Sequence, residues 1–221
     1  MKNIIITFST LFFILCTAPG IHGQINRTTE TKIVDILSQL PTNDLNHSNK
    51  LMEEILGLGP DGISRFTTRL IPAGTGDDTQ VRYAIHSLAV YAGGKQNNIQ
   101  DNIVEKELIK AIENTTDNEV RTFLISRLAF CGSNTSVSYL GKFLSDETLY
   151  KPALASMSSI GTAEAGQSLL EAAKNADAKI QPALIDALGK LHFEPGVDLL
   201  DKLTKSNSII INIIIIKYFI S

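Results

Sequence analysis

Three stretches decide the fold: Leu124-Ile125-Ser126-Arg127-Leu128-Ala129-Phe130-Cys131-Gly132, Ala153-Leu154-Ala155-Ser156-Met157-Ser158-Ser159-Ile160-Gly161 and Leu184-Ile185-Asp186-Ala187-Leu188-Gly189-Lys190-Leu191-His192. Superposed, each places apolar side chains at i, i+1, i+4 and i+7, which is one stripe along a helix. The central anchors Leu128, Met157 and Leu188 lie 29 and 31 residues apart. Nine residues beyond each anchor a second stripe begins: Val137, Leu140 and Phe143; Gly166, Leu169 and Ala172; Val197, Leu200 and Leu203. A period of this length, built from two helices, marks a repeat architecture.

Outward towards the N-terminus, Ala84 to Ala92 is an earlier copy, with Leu88 standing 40 residues before Leu128. The spacing predicts that the extra length is a loop, Gly93-Gly94-Lys95-Gln96-Asn97-Asn98, before a helix around Ile103 to Ile109. Ile33 to Leu40, Leu51 to Leu58 and Ile63 to Leu70 read as three further helices out of register with the repeat, as a capping end would be. No stretch sustains period-two alternation, so the fold class is all-α.

Local chemistry fits these boundaries. Thr116-Asp117-Asn118-Glu119 has capping-box spacing, with Thr116 as the cap. Pro60, Pro152 and Pro182 suit first turns, and Glu194-Pro195 opens the last paired helix. Asp77 or Asp78 caps the helix holding Val81-Arg82. Gly132 and Gly161 let the chain reverse between paired helices.

The unit resembles HEAT repeats, through Val81-Arg82, Val120-Arg121 and the run Ala183 to Leu191, most closely over Val120 to Lys205. The resemblance implies a right-handed α-α superhelix of antiparallel helix pairs whose role is to hold a protein partner. The leader, Lys50 to Leu56, Gly59 to Ser64 and Pro72 to Thr79 also look like the N-terminal part of exported Bacteroidetes-type proteins, in which HEAT-like repeats precede a 3-keto-disaccharide hydrolase domain. No β-rich region follows Lys205, so no catalytic residue of that family carries over.

Both ends differ from the middle. Met1-Lys2-Asn3, the apolar run Ile4 to Cys16 and the small-residue exit to Gly23 match a secretory signal peptide, residues 1–23, with a cut after Ala18 and lipid attachment at Cys16 as alternatives. The repeat domain is then 24–205, followed by an Ile-rich tail, 206–221. That tail is too short to span a bilayer comfortably and too β-branched for a good helix. It reads as an aberrant or disordered end, from a shifted frame or a lost downstream part, with a membrane tether as the functional alternative.

Lys plus Arg is 20 and Asp plus Glu 23, a formal net charge of −3. Nucleic-acid binding is disfavoured without a basic face. Cys131 is alone once the leader with Cys16 is removed, which excludes a disulfide scaffold. His47, His86 and His192 form no metal-ligand spacing, and neither a GxSxG elbow nor a P-loop occurs. Gly74-Thr75-Gly76 lacks the third glycine of a dinucleotide fingerprint and reads as a connection. Asp77-Asp78 reads as capping rather than cation binding. His86 and His192 read as packed or hydrogen-bonded, Cys131 as a small buried hydrophobe, and Arg82 and Arg121 as stems pairing with neighbouring acids. The N-x-Ser/Thr patterns at Asn26, Asn46, Asn114 and Asn134 read as chance in an Asn-rich chain.

The expectation is therefore an exported, periplasmic or extracellular, non-enzymatic scaffold with no catalytic, cofactor-binding or metal residues. Its partner is a protein or a companion catalytic domain, without nucleic acid, cofactor or stable membrane insertion after signal cleavage. The alternative is the accessory region of a glycoside-processing protein whose catalytic domain is missing.

Overall fold

The computed structural model describes residues 28–94 and 102–196, and every regular element among them is helical. The leader, Asn26, Lys95 to Asn98, the stripe Val197, Leu200 and Leu203, and the Ile-rich tail lie outside the described residues. Among the described residues ten α-helices follow one another: α1 (Thr29–Ser38), α2 (Leu45–Gly57), α3 (Gly59–Thr67), α4 (Thr79–Gly94), α5 (Ile103–Asn114), α6 (Asn118–Cys131), α7 (Asn134–Leu140), α8 (Tyr150–Ile160), α9 (Ala163–Asn175) and α10 (Gln181–Lys190). Short 3₁₀ turns occupy Gly141–Phe143 and Glu194–Gly196. The stripe Val137 to Phe143 is thus not one continuous helix: α7 stops at Leu140 and tightens into the first of these turns.

The stripes set the packing. Leu88, Leu128, Met157 and Leu188 are all essentially buried, and a single cluster of apolar side chains runs from Ile33 to Leu188. Fully burying one such side chain contributes about 1.5–3 kcal/mol. α4 packs on α6, α6 on α8 and α8 on α10, while α3 meets α5, α5 meets α7 and α7 meets α9. Each of α5, α7 and α9 also packs on the helix that follows it. Ser156 on α8 donates to the carbonyl of Ile125 on α6 at 2.9 Å, so even a fully buried hydroxyl there finds a partner in the adjacent helix.

Two sequence expectations need correction. The cap of α6 is Asp117, not Thr116: its carboxylate accepts from the N–H groups of Glu119 and Val120 at 3.0 and 2.9 Å. A carboxylate one residue nearer reaches both amides and adds charge at the positive helix end. Gly93 and Gly94 belong to the last turn of α4, not to a loop. The two reversal glycines act by different means. Gly161 adopts a left-handed φ of 67°, whereas Gly132 is extended and is needed for room: a Cβ there would stand 2.5 Å from the Leu128 carbonyl and 2.7 Å from Ile160.

His192 follows α10 with a left-handed φ of 47°, unusual for a residue with a side chain. Its N–H donates to Gly189, and its side chain is exposed rather than packed on the stripe.

Candidate functional site

Arg82, His86 and Val90 stand four residues apart on α4 and share one face. Phe123, Arg127 and Phe130 form the matching stripe on α6. Where the two helices meet, the stripes interleave into a seam of cations and rings.

One end of the seam is neutralised. Arg82 bonds Asp78 through Nε at 2.8 Å and forks onto both carboxylate oxygens of Glu119 at 2.8 Å each. Its Nη2 also donates to the Ile71 carbonyl, so one guanidinium ties the loop after α3 to α4 and α6. Burial alone would raise the pKa of Asp78, but the hydrogen bond from Arg82 and the Ile71 N–H together hold it below the ordinary range. Asp77 accepts from the Thr79 N–H, the first amide of α4, at 3.0 Å. Arg82→Met is expected to cost about 1–2 kcal/mol, because the mostly buried Asp78 loses its counter-charge, and chemical denaturation would measure it. Arg121, at the equivalent place in the repeat, bonds the Thr115 carbonyl instead of an acid.

At the other end no described carboxylate neutralises the arginine. Arg127 donates from Nη1 to His86 Nδ1 at 2.6 Å, and its guanidinium lies 4.9 Å from the Phe123 ring centre and 5.5 Å from that of Phe130. Nε is buried with no hydrogen-bond partner among the described residues. Burial draws the pKa of Arg127 down from its usual value. Phe123 also carries Arg82, 4.8 Å from its centre, and His86 meets Phe130 edge-on at 5.2 Å. Such ring contacts offset part of the cost of a half-buried cation.

Since arginine can only donate, His86 must accept at Nδ1, which fixes the tautomer with the proton on Nε2. Burial first, and the charge of Arg127 second, lower the pKa of His86. The folded state therefore disfavours the proton that the unfolded chain takes up. Stability is expected to fall as pH drops below about 6.5 and to stop falling through this group once His86 is charged in both states. Thermal unfolding between pH 7 and 5 should show this decline, and His86→Gln should flatten it.

Beside the seam, Leu45, Ser48, Met52, Tyr83, His86 and Val90 line an open groove of about 270 Å³ between α2 and α4. Tyr91 stands at its edge with its hydroxyl donating to Glu53 at 2.6 Å. Leu45 is 73% exposed, and Val90 and Phe130 are each 45% exposed. Leu45 and Val90 share the groove and Phe130 packs on His86 beside it, so these exposed apolar side chains mark a surface suited to contact.

Elsewhere, a cleft of about 240 Å³ between α3, α5 and α6 holds Glu107, whose carboxylate pairs with Lys110 at 3.6 Å. Cys131 is fully buried, and burial reinforced by the nearby charge of Glu105 pushes its thiol up to about 12. It is a thiol, not a thiolate, at neutral pH. Among the described residues no group of three or more His, Cys, Asp or Glu could hold a metal ion. No described helix is long and apolar enough to cross a membrane.

Sequence reasoning missed Arg127 and Glu105. Glu105 on α5 is 3% exposed and is spent on structure. It accepts from the N–H and O–H of Ser133 at 2.8 and 2.9 Å and from the N–H and O–H of Ser136 at 2.9 and 2.6 Å. Ser133 caps α7 through the Thr135 N–H, so α5 supplies in trans the carboxylate of a capping box.

No protein-family model matches this chain, and no curated protein sequence matches it either.

Proposed function

We propose that the chain is an exported HEAT-like repeat scaffold whose α2–α4–α6 face holds a protein partner. The observation that carries this reading is the exposure of Leu45 and Val90 on an open groove, with exposed Phe130 against His86 beside it and an arginine that no described carboxylate neutralises. The order of helix contacts, each helix meeting the one two places along, supports stacked helix pairs. A single pair could not hide its apolar stripe; stacking does, and it leaves one face of each row free. The match of residues 1–23 to a secretory signal peptide supports export to the periplasm or beyond the cell.

A photo-crosslinker tests this reading. With Phe130→p-benzoylphenylalanine in the full-length chain, irradiation of cells is expected to give discrete adducts in the exported fraction. The same group at Gln167, exposed on α9, is expected to give few. Equal labelling from both positions, or none from either, contradicts a partner on this face.

A further inference from the structure

Three of the arginines in the described residues already sit on carboxylates. Arg65 bonds Asp61, Arg69 bonds Glu30, and Arg82 bonds Asp78 and Glu119. Arg127 departs from them. Among the described residues no acid reaches it and its buried Nε finds no partner, while Nη1 is given to a neutral imidazole. Nη2 has no hydrogen bond to any described residue. Removing a cation from water without a counter-charge is costly. The aromatic faces of Phe123 and Phe130 offset only part of that cost, and Phe130 remains half in water.

We propose that the Arg127 end of the α4–α6 seam, with the adjoining α2–α4 groove, docks a short protein segment that carries a carboxylate next to an apolar side chain. This rests on the scaffold reading above and gives the partner a chemistry. The carboxylate accepts from Arg127, supplying the missing counter-charge in a charge-assisted bond that is strong where water is partly excluded. The apolar side chain enters the groove between Leu45, Met52, Tyr83 and Val90 and covers Phe130 from the side.

Two magnitudes select this occupant. At about 270 Å³ the groove is smaller than the ~300–1,000 Å³ typical of small-molecule pockets, so it suits side chains rather than a whole cofactor. Among the described residues the seam offers one cation without a carboxylate, Arg127, because Arg82 at its other end already holds Asp78 and Glu119. A nucleic-acid strand binds through many phosphates and needs several such cations, whereas a single carboxylate needs only Arg127.

The test uses the full-length chain and a displayed library of random twelve-residue peptides, followed by fluorescence anisotropy on the enriched sequences. Enriched peptides are expected to place Asp or Glu within a few residues of Leu, Ile or Phe. Exchanging that acid for its amide in the peptide should weaken binding at least ~10-fold. Arg127→Gln and Phe130→Ser should each do the same, while Lys142→Gln on the opposite row should change nothing. If Arg127→Gln does not fold by circular dichroism, the peptide exchange and Phe130→Ser carry the result. Enriched peptides without acidic residues, or binding indifferent to all three changes, overturn this inference and leave the scaffold reading to the crosslinking result. Preferential binding of an oligothymidylate probe at Arg127 also overturns it. No enrichment together with no crosslinking removes both.

Discussion

Replacing Glu105 with alanine should destabilise the protein by about 3–5 kcal/mol, the largest effect of any single polar substitution proposed for this chain. The carboxylate takes four hydrogen bonds from two serines that open α7, and Ser136 is itself fully buried. Its removal leaves the N–H and O–H of Ser136 in the interior without an acceptor, each costing about 1–3 kcal/mol. It also removes negative charge from the positive end of a helix. Asn102 links the same junction to α6 through the Cys131 carbonyl, so the loss is felt at three helices. Glu105→Gln keeps an acceptor oxygen in place and should cost about 1–2 kcal/mol. Urea denaturation of both variants measures the difference; similar, small losses would mean that water replaces the carboxylate without penalty.

The second large effect comes from Gly93→Ala. Helix propensity alone predicts that alanine inside α4 stabilises by about 0.8–1 kcal/mol. Packing predicts the reverse. A Cβ at Gly93 would stand 2.0 Å from the Phe130 carbonyl oxygen and 3.0 Å from its carbon, both backbone atoms that cannot rotate away. The last turn of α4 must then lift from α6, at about 3 kcal/mol or more, so packing wins. Gly94 is the internal control, since a Cβ there meets nothing within 4 Å. Gly94→Ala should be neutral or stabilising. Opposite signs for adjacent glycines in one melting experiment would identify the close approach of α4 to α6 as the cause.

Much of the helical framework was legible in the chain because burial and periodicity are local signals. Leu128, Met157 and Leu188 announce their stripes within nine residues, and all three are buried. Gly93 misled because a Gly-Gly pair after an amphipathic run resembles a helix stop, and only the approach of α6 gives the pair a place in the helix. Glu105 sits in Ile103-Val104-Glu105-Lys106-Glu107, which reads as an ordinary solvated face. Its partners lie 28 and 31 residues away, beyond any local pattern. A faint signal existed: Ser133 opens a helix, yet Ser136 stands where a capping box would carry Glu or Gln. Arg127 left a similar trace. The positions three and four residues to either side are Phe123, Leu124, Phe130 and Cys131, none of them acidic, so no neighbour on its own helix could neutralise it.

The exposed seam is the free side of a stack only where each helix packs against the one two places along. Methyl NOEs in solution, read between Ile85 or Leu88 on α4, Leu124 or Leu128 on α6, Leu154 or Met157 on α8 and Leu184 or Leu188 on α10, measure this directly. A ladder linking α4 to α6, α6 to α8 and α8 to α10, with no α4 to α10 crosspeaks, is the predicted result. Strong α4 to α10 crosspeaks with none between α6 and α8 would contradict it.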